Sequence, residues 1–203
     1  MAKTLAINGS PRKQGATAAL LSEVLSHLRG ETRLVHLADL RIGHCFGCLH
    51  CMKNRGACVR KDDMKDLIQQ MLEADALLIG SPNYYYCVSG LLKNMIDRSI
   101  ASSYLGVGEY TGMEWHGWKP FVGKSCAFVI CQAAYGGEKA EDTLQCFAEY
   151  SGMTHVGTMI AAFGGKQLED FPEYRDEAAA LAAKLNDALQ QGHMQRGFVI
   201  DRA

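Results

Sequence analysis

Four cysteines between residues 45 and 58 have the types and spacing of a metal or redox site. Three thiols lie within seven residues and a fourth follows seven residues later, at positions Cys45, Cys48, Cys51 and Cys58. Overlapping Cys-x-x-Cys steps are typical of runs that hold [4Fe–4S] clusters, whereas structural zinc is more often held by two separated Cys-x-x-Cys pairs. The spacing favours a cluster over a zinc ion and leaves open a loop of unliganded or disulfide-forming cysteines.

The positive charge around these cysteines would favour an anionic cofactor. Residues 44–61 contain four cations, at Lys53, Arg55, Arg60 and Lys61, and no aspartate or glutamate. Four thiolates make any cluster they hold anionic, and fixed cations nearby lower the cost of that charge. Cys58 is followed by Val59 rather than by proline, so the bacterial ferredoxin motif is not copied whole.

A second candidate site lies near the start of the chain. An apolar run at residues 4–7 leads into a polar, glycine-containing loop at 9–17, and a helical pattern follows. A helix start after such a loop is a ready anion site, to which Ser10 and Thr17 add hydroxyls and Arg12 and Lys13 add charge. The loop is neither a Walker A nor a Gly-x-Gly-x-x-Gly motif. The alternative is an ordinary helix cap formed by Ser10 or Thr17.

Two further loops follow buried strands. Residues 81–87, with three consecutive tyrosines, come after the apolar run at 76–80, and residues 132–138 come after the run at 124–131. Flat rings at the carboxyl ends of strands suit a planar heteroaromatic ligand. The alternative for the tyrosines is packing on the next helix or on a partner subunit. A phosphate loop together with two ring-binding loops is what flavin mononucleotide (FMN) needs.

The elements that must position these loops alternate between strand and helix. Strands are predicted at residues 4–7, 33–37, 76–80, 124–131 and 158–163, with a closing helix at 173–191. Right-handed crossovers then give an α/β fold with a doubly wound, five-stranded parallel sheet in three α/β/α layers. At 203 residues the chain suits one domain, residues 1–203, with a cysteine-rich loop at 38–62 and a Trp- and Tyr-rich loop at 101–123.

Other polar residues are predicted to have structural roles. Asp62 and Asp63 are interpreted as caps of the next helix. Lys93, Asp97 and Arg98 are interpreted as surface or interface charges. Cys126 and Cys131 are predicted to be core thiols within a strand. The loop at 101–123 is predicted to act as a lid or an interface; it contains Tyr104, Tyr110, Trp115, His116 and Trp118.

Composition narrows the class of protein. The net charge is −1 and the isoelectric point about 6.6, so there is no general case for nucleic acid or for an anionic membrane surface. No export signal is visible and no apolar run is long enough to span a bilayer. Eight cysteines without an export signal favour a reducing compartment, and a cytoplasmic location is expected.

These motifs together resemble the NADPH-dependent FMN reductase branch of the flavodoxin-like superfamily. The resemblance extends to about residue 165, and the cysteine run is similar to that of the iron–sulfur flavoproteins within the branch. It is carried by Asn8-Gly9-Ser10-Pro11-Arg12 with Gly15 and Thr17, by Gly80-Ser81-Pro82-x-Tyr84, by Ser89-Gly90-x-x-Lys93-x-x-x-Asp97-Arg98, by Ala134-Tyr135-Gly136-Gly137-Glu138, and by the cysteines followed by Asp62-Asp63-Met64.

The resemblance implies a cofactor site and a metal site. The FMN site would comprise Ser10, Pro11, Arg12, Gly15, Ala16 and Thr17 at the phosphate, Pro82, Asn83, Tyr84 and Tyr85 beside the isoalloxazine, and Ala134, Tyr135, Gly136 and Gly137 at its other edge. A [4Fe–4S] cluster would be held by Cys45, Cys48, Cys51 and Cys58. The chain departs from the common pattern at Asn83, where valine is frequent, and in its insertion at 101–123.

The function expected from these features is an FMN- and cluster-containing oxidoreductase. It would transfer electrons between a one-electron donor such as ferredoxin and a small-molecule, two-electron acceptor, and the family implies homodimers or homotetramers. No acid–base residue is demanded and none is named. The alternatives are a cluster-free, NAD(P)H-dependent flavin or quinone reductase and a non-enzymatic redox sensor or electron shuttle.

Overall fold

The computed structural model describes residues 1–105 and 119–200, which form a parallel sheet with helices on both faces. The strands are β1 (Lys3–Asn8), β2 (Glu31–His36), β3 (Ala76–Pro82), β4 (Ser125–Gln132) and β5 (Thr154–Ala162). The helices are α1 (Ala16–Ser26), α2 (His50–Lys53), α3 (Met64–Glu73), α4 (Gly90–Arg98), α5 (Gly137–Ser151) and α6 (Pro172–Ile200). Short 3₁₀ turns cover Leu37–Asp39, Ser99–Tyr104 and Leu168–Asp170.

The strand order is β2-β1-β3-β4-β5 and every neighbouring pair is parallel. Asn8, the last residue of β1, lies beside His36 of β2 and Gly80 of β3. The order of connections reverses between β1 and β3, and ligands of open α/β sheets bind outside the strand ends at such a point. The predicted flavodoxin-like, doubly wound fold is confirmed.

The two faces of the sheet have separate apolar cores. Leu5 and Ile7 of β1 pack on the face covered by α3, α4 and α5, whereas Ala6 between them packs on the face covered by α1 and α6. Because both faces are covered, the central strands are continuous apolar runs rather than alternating ones. For this reason the predicted bounds of β3 and β4 agree with the observed bounds within two residues.

The predicted bounds were least accurate at the edges of the sheet. β5 begins at Thr154, four residues before the predicted start, because this edge strand is only partly covered and its first residues are not an apolar run. The helix α6 continues past the predicted end at residue 191. The connection at 38–62 is not wholly irregular, since it contains α2.

The second predicted loop is described only in part. Residues 99–104 form a 3₁₀ turn that Tyr104 closes, so the start of the stretch at 101–123 is regular. Tyr110, Trp115, His116 and Trp118 lie outside the described residues. Within the described ranges, no helix has both the length and the apolar character that crossing a membrane requires.

Candidate functional site

The loop after β1 is held by short polar contacts at the carboxyl edge of the sheet. The Asn8 side chain, which is fully buried, accepts a hydrogen bond from the backbone N–H of Ser10 at 2.9 Å. The Ser10 hydroxyl in turn accepts from the N–H of Arg12 at 3.1 Å. Gly9 donates to the Gly80 carbonyl at 2.8 Å and approaches α4 so closely that a Cβ would lie 2.8 Å from Leu92 Cβ. These contacts hold the loop against β3 and α4.

The first turn of α1 has no side-chain cap. Gly15 precedes the helix in an extended conformation and offers no side chain to the helix amides. The N–H groups of a first helical turn have no partner within the helix, and together with the helix dipole they attract anions. Thr17, in this turn, is buried. The alternative in which Ser10 or Thr17 caps α1 is wrong.

A cleft of about 800 Å³ opens in front of this helix start. Its volume is within the range of small-molecule sites. Most of the sequence-predicted residues of the first two loops line it, namely Ser10, Arg12, Gly15, Ala16, Thr17, Pro82, Asn83 and Tyr84. The structure therefore brings the loops after β1 and β3 together around one space.

Sequence reasoning missed part of the lining of this cleft. The loop after β5, which the sequence prediction did not include, contributes residues between Phe163 and Gln167. The glycine pair at 164–165, directly after a predicted strand, was the signal that could have identified the fourth loop.

The tyrosine loop is a tight hairpin. Tyr84 and Cys87 exchange two backbone hydrogen bonds, of 2.9 and 3.1 Å, around Tyr85 and Tyr86. Both central residues have a positive φ, of 49° and 60°, a backbone conformation that is unfavourable for residues other than glycine. Tyr84 lines the cleft, whereas Tyr85 is 97% exposed and is not part of the lining.

The third predicted loop, residues 132–138, lines the cleft only through Gln132 and Ala133, and its other residues support the cleft. The Asn83 amide donates to the Tyr135 carbonyl at 3.2 Å, and the Gly137 N–H donates to the Gln132 side chain at 2.7 Å. The Tyr86 and Tyr135 rings lie 6.1 Å apart, and their hydroxyl hydrogen bond raises the pKa of Tyr86. The predicted residues that do not line the cleft are Pro11, Tyr85, Ala134, Tyr135, Gly136 and Gly137.

The four cysteines of the second candidate site line one cavity of about 300 Å³. Cys45 and Cys48 are exposed, and Cys51 and Cys58 are half-buried. The chain turns sharply between the first three thiols because Gly47 and Leu49 have left-handed backbone angles, with φ of 63° and 56°. Apolar side chains complete the wall, among them Phe46, Leu49, Met52 and Val59.

The thiols of this cavity influence one another. Burial raises the pKa of Cys51, and the neighbouring Cys58 and Cys45 raise it further. The N–H of Gly47 lies 3.5 Å from the Cys45 sulfur. The Arg60 guanidinium lies 3.8 Å from the centre of the Phe46 ring, and its Nε is buried without a hydrogen-bond partner among the described residues. One unpartnered donor and four thiols in the lining of one cavity suit an anionic, sulfur-ligated group.

Among the side chains that the structure describes, no three histidine, cysteine, aspartate or glutamate groups come together closely enough to hold a metal ion. The cysteine segment therefore presents four thiols at one cavity without an assembled ligand set.

The interpretation of Arg98 as a surface charge is wrong. Its side chain is 3% exposed and forms an ion pair with Asp62 at 2.7 Å. The neighbouring pair Lys93–Asp97, at 2.5 Å, is exposed as predicted. The sequence offered no signal for the difference, because the partner of Arg98 lies 36 residues away in the chain.

The two aspartates before α3 are not simple caps. Asp63 is the residue at the helix start, but its carboxylate accepts from the Arg41 N–H at 2.7 Å rather than from a helix amide. Asp62 accepts weakly from Met64 N–H at 3.3 Å and mainly binds Arg98 and the Gly43 N–H. Both carboxylates hold the cysteine segment onto the body of the protein.

The remaining strand cysteines are core residues, as predicted. Cys126 and Cys131 are buried, and burial raises the pKa of each thiol to about 12. Cys131 also lies at the back of the cleft, where its thiol contacts the Thr17 side chain. Thiols with such pKa values stay protonated and unreactive at neutral pH.

Comparison with known proteins agrees with this geometry. An iron-sulfur flavoprotein from Archaeoglobus fulgidus is 44% identical over 99 residues, 48% of each chain. Another, from Methanocaldococcus jannaschii, is 40% identical over 100 residues, 48% of this chain and 51% of that protein. These alignments span about half the length of the curated relatives.

Structural and family comparisons extend over more of the chain. The crystal structure of RosB with a bound 8-demethyl-8-formylriboflavin-5'-phosphate intermediate matches with a TM-score of 0.69 and 15% identity, over 94% of this chain and 80% of that one, which shows the fold. The family model described as NADPH-dependent FMN reductase matches residues 2–167. The chain belongs to the NADPH-dependent FMN reductase family.

Proposed function

We propose that this protein is an FMN-dependent oxidoreductase that also holds a [4Fe–4S] cluster and moves electrons between a one-electron donor and a two-electron acceptor. The observation that carries the proposal is that one chain combines an uncapped helix start at a strand-end cleft with four cysteines around a single cavity. The family match and the names of the iron-sulfur flavoprotein relatives support it.

The cleft has donors and acceptors that fit FMN. The amides of the first turn of α1, with Arg12 and Lys13 beside them, suit a phosphate. Asn83 Oδ1 is buried without a hydrogen-bond partner in the described structure, and its orientation is set by the bond from its amide nitrogen to Tyr135. The ring edge of an isoalloxazine carries an N–H that can satisfy such an acceptor.

The cysteine cavity fits an iron–sulfur cluster by its donor set. Cys45, Cys48, Cys51 and Cys58 supply the four thiolates that such a cluster needs. The guanidinium groups of Arg60 and Arg98 line the same cavity and lower the cost of an anionic guest.

When both are bound, FMN supplies two-electron chemistry and the cluster supplies one-electron transfer, so the pair can gather or split electrons. The protein's own part is to bind and orient. The first loop would hold the phosphate, Asn83 would fix the ring edge, and Tyr84 would cover the ring. No residue of the cleft is assigned a proton-transfer role.

The partners we propose follow from that chemistry. The donor is a ferredoxin-like carrier or NAD(P)H, and the acceptor is a small molecule. We also expect a homodimer or homotetramer in which the cluster of one subunit lies close to the flavin of another, an arrangement that the family resemblance implies.

A second candidate function is that of a cluster-free, NAD(P)H-dependent FMN or quinone reductase. The match to the NADPH-dependent FMN reductase family model supports this function, and two of the four thiols, Cys45 and Cys48, are exposed to solvent.

The variant Cys51→Ser distinguishes the two functions. The proposal predicts that anaerobically reconstituted Cys51→Ser protein loses its iron and its broad visible absorption but keeps FMN. Cys146→Ser is the matched control, because Cys146 is an exposed cysteine on α5, outside the cysteine segment. Iron-free wild-type protein that turns over NADPH would favour the second function, and iron-free protein that forms a disulfide on oxidation would indicate a thiol switch.

A further inference from the structure

Arg98, the last residue of α4, connects the body of the protein to the cysteine segment. Its guanidinium donates to the Gly43 carbonyl at 2.6 Å and to both oxygens of Asp62 at 2.7 and 2.9 Å. The same group places Nη2 3.5 Å from the Cys58 sulfur. One buried side chain therefore binds residues on both sides of the four cysteines and contacts one of the thiols.

These hydrogen bonds restrict the position and orientation of the Arg98 guanidinium. Bidentate pairing with a carboxylate sets both the position and the plane of a guanidinium. Asp62 is itself held, because it also accepts from the Gly43 N–H at 3.0 Å, and the Arg98 hydrogen bonds lower the pKa of its carboxyl group. The N–H that faces Cys58 is thus aimed by the rest of the network.

We propose that Arg98 is a positioning residue of the cysteine cavity. Its side chain holds the Cys58 sulfur in place and makes one-electron reduction of the bound cluster easier. The inference rests on the proposed function and goes beyond it. It states that Arg98, which is not a ligand of the cluster, helps to set the reduction potential of the cluster.

The direction of the effect follows from charge. Reduction adds one electron, supplied by the donor, to an already anionic cluster and its thiolates. An N–H donated to a ligand sulfur, and a cation beside it, stabilise the more negative form, and such hydrogen bonds are among the factors that set cluster potentials. Low exposure strengthens the effect, since the Arg98 and Asp62 side chains are 3% and 14% exposed.

The pair of charges allows a test with opposite signs. Arg98→Gln removes the cation and leaves the Asp62 carboxylate uncompensated, so the midpoint potential of the cluster should become more negative. Asp62→Asn leaves the cation, still held by the Gly43 carbonyl, so the potential should become more positive. Lys93→Gln is the control, because it removes a cation from the same helix at an exposed pair with Asp97.

The measurement is an anaerobic redox titration of the reconstituted proteins followed by EPR, with iron, sulfide and FMN determined for each. Opposite shifts in Arg98→Gln and Asp62→Asn, each larger than in Lys93→Gln, support the inference. Unchanged potentials, or shifts of the same sign, overturn it. If Arg98→Gln does not fold, as judged by circular dichroism, Arg98→Lys replaces it, because lysine keeps the cation and loses the bidentate fork. An unchanged potential in Arg98→Lys would then overturn the positioning role. Absence of iron from wild-type protein would instead contradict the proposed function.

Discussion

Ser89 donates its hydroxyl hydrogen to the Gly9 carbonyl at 2.5 Å and thereby fastens the start of α4 to the loop after β1. The same hydroxyl oxygen accepts from the Leu92 N–H at 3.1 Å and caps α4. The backbone N–H of Ser89 donates to the Ser81 hydroxyl oxygen at 2.9 Å. One buried serine thus holds the first loop, the end of β3 and the next helix in a fixed relation.

Replacement of Ser89 should therefore affect both stability and the cleft. Ser89→Ala removes the helix cap and leaves the buried Gly9 carbonyl without its donor, so the free energy of unfolding should fall by about 2–3 kcal/mol. Urea unfolding measures the change. Ser26→Ala is the control, because the Ser26 hydroxyl is exposed and donates to the Glu23 carbonyl within its own helix. Equal stability of the two variants would refute the role of Ser89.

The hydroxyl of Thr17 is expected to bind the FMN phosphate. Thr17→Val keeps the volume and removes the hydroxyl at a buried position of the first turn of α1. Loss of one hydrogen bond to a charged group should weaken FMN binding roughly 10-fold. Titration of the apo-protein by flavin fluorescence measures the affinity, with Thr32→Val on the exposed edge strand β2 as control. An unchanged affinity would remove Thr17 from the site.

The sheet and the loops at its carboxyl edge were predictable because they follow from chain periodicity. Continuous apolar runs such as residues 76–80 identify strands covered on both faces, and parallel strands bring their following loops to one edge. Asn83 and Tyr84 could be placed at the cleft for this reason. The hairpin that turns Tyr85 outward depends on two left-handed backbone angles, for which tyrosine gives no local signal.

The polar network behind the cysteines was not predictable. Asp62 precedes a helix and has the sequence features of a cap, while Arg98 ends a helix with the features of a surface charge. Their pairing depends on how the connection at 38–62 folds over α4, which is a tertiary arrangement that no local pattern encodes.

The glycine at position 136 is expected to be irreplaceable for steric reasons. It has a φ of 89°, and a Cβ there would lie 2.4 Å from Tyr86 Cδ1. Gly136→Ala should cost about 3 kcal/mol, since backbone strain adds to a collision with the tyrosine hairpin. Gly123→Ala is the matched control, since Gly123 has a φ of 79° and no described atom would lie within 4 Å of the added Cβ; it should cost about 1 kcal/mol. Equal losses in thermal or urea unfolding would contradict the packing of Tyr86 on this loop.

The Asp62–Arg98 pair should make the stability of the apo-protein depend on pH. The hydrogen bonds from Arg98 hold the pKa of Asp62 below its usual value of 3.8. Because the folded-state pKa is the lower one, the stabilisation is present above the usual pKa and is lost as the pH falls through the folded-state pKa. Between about pH 5 and pH 3, wild type should lose stability more steeply than Asp62→Asn.

Asp97→Asn is the control for this pH dependence, since exposed pairs such as Lys93–Asp97 contribute little. It should follow the wild-type slope in urea unfolding at each pH. Parallel curves for wild type and Asp62→Asn would show that the buried pair does not stabilise the fold.

The central claim is that one chain binds both a flavin and an iron–sulfur cluster. The most direct measurement is the iron, acid-labile sulfide and flavin content of wild-type protein, purified anaerobically and reconstituted with ferrous iron, sulfide and FMN. We predict about four irons, about four sulfides and about one FMN per chain, with visible absorption from both groups. A reconstituted protein that takes up no iron, or one that takes up no FMN, would contradict the account.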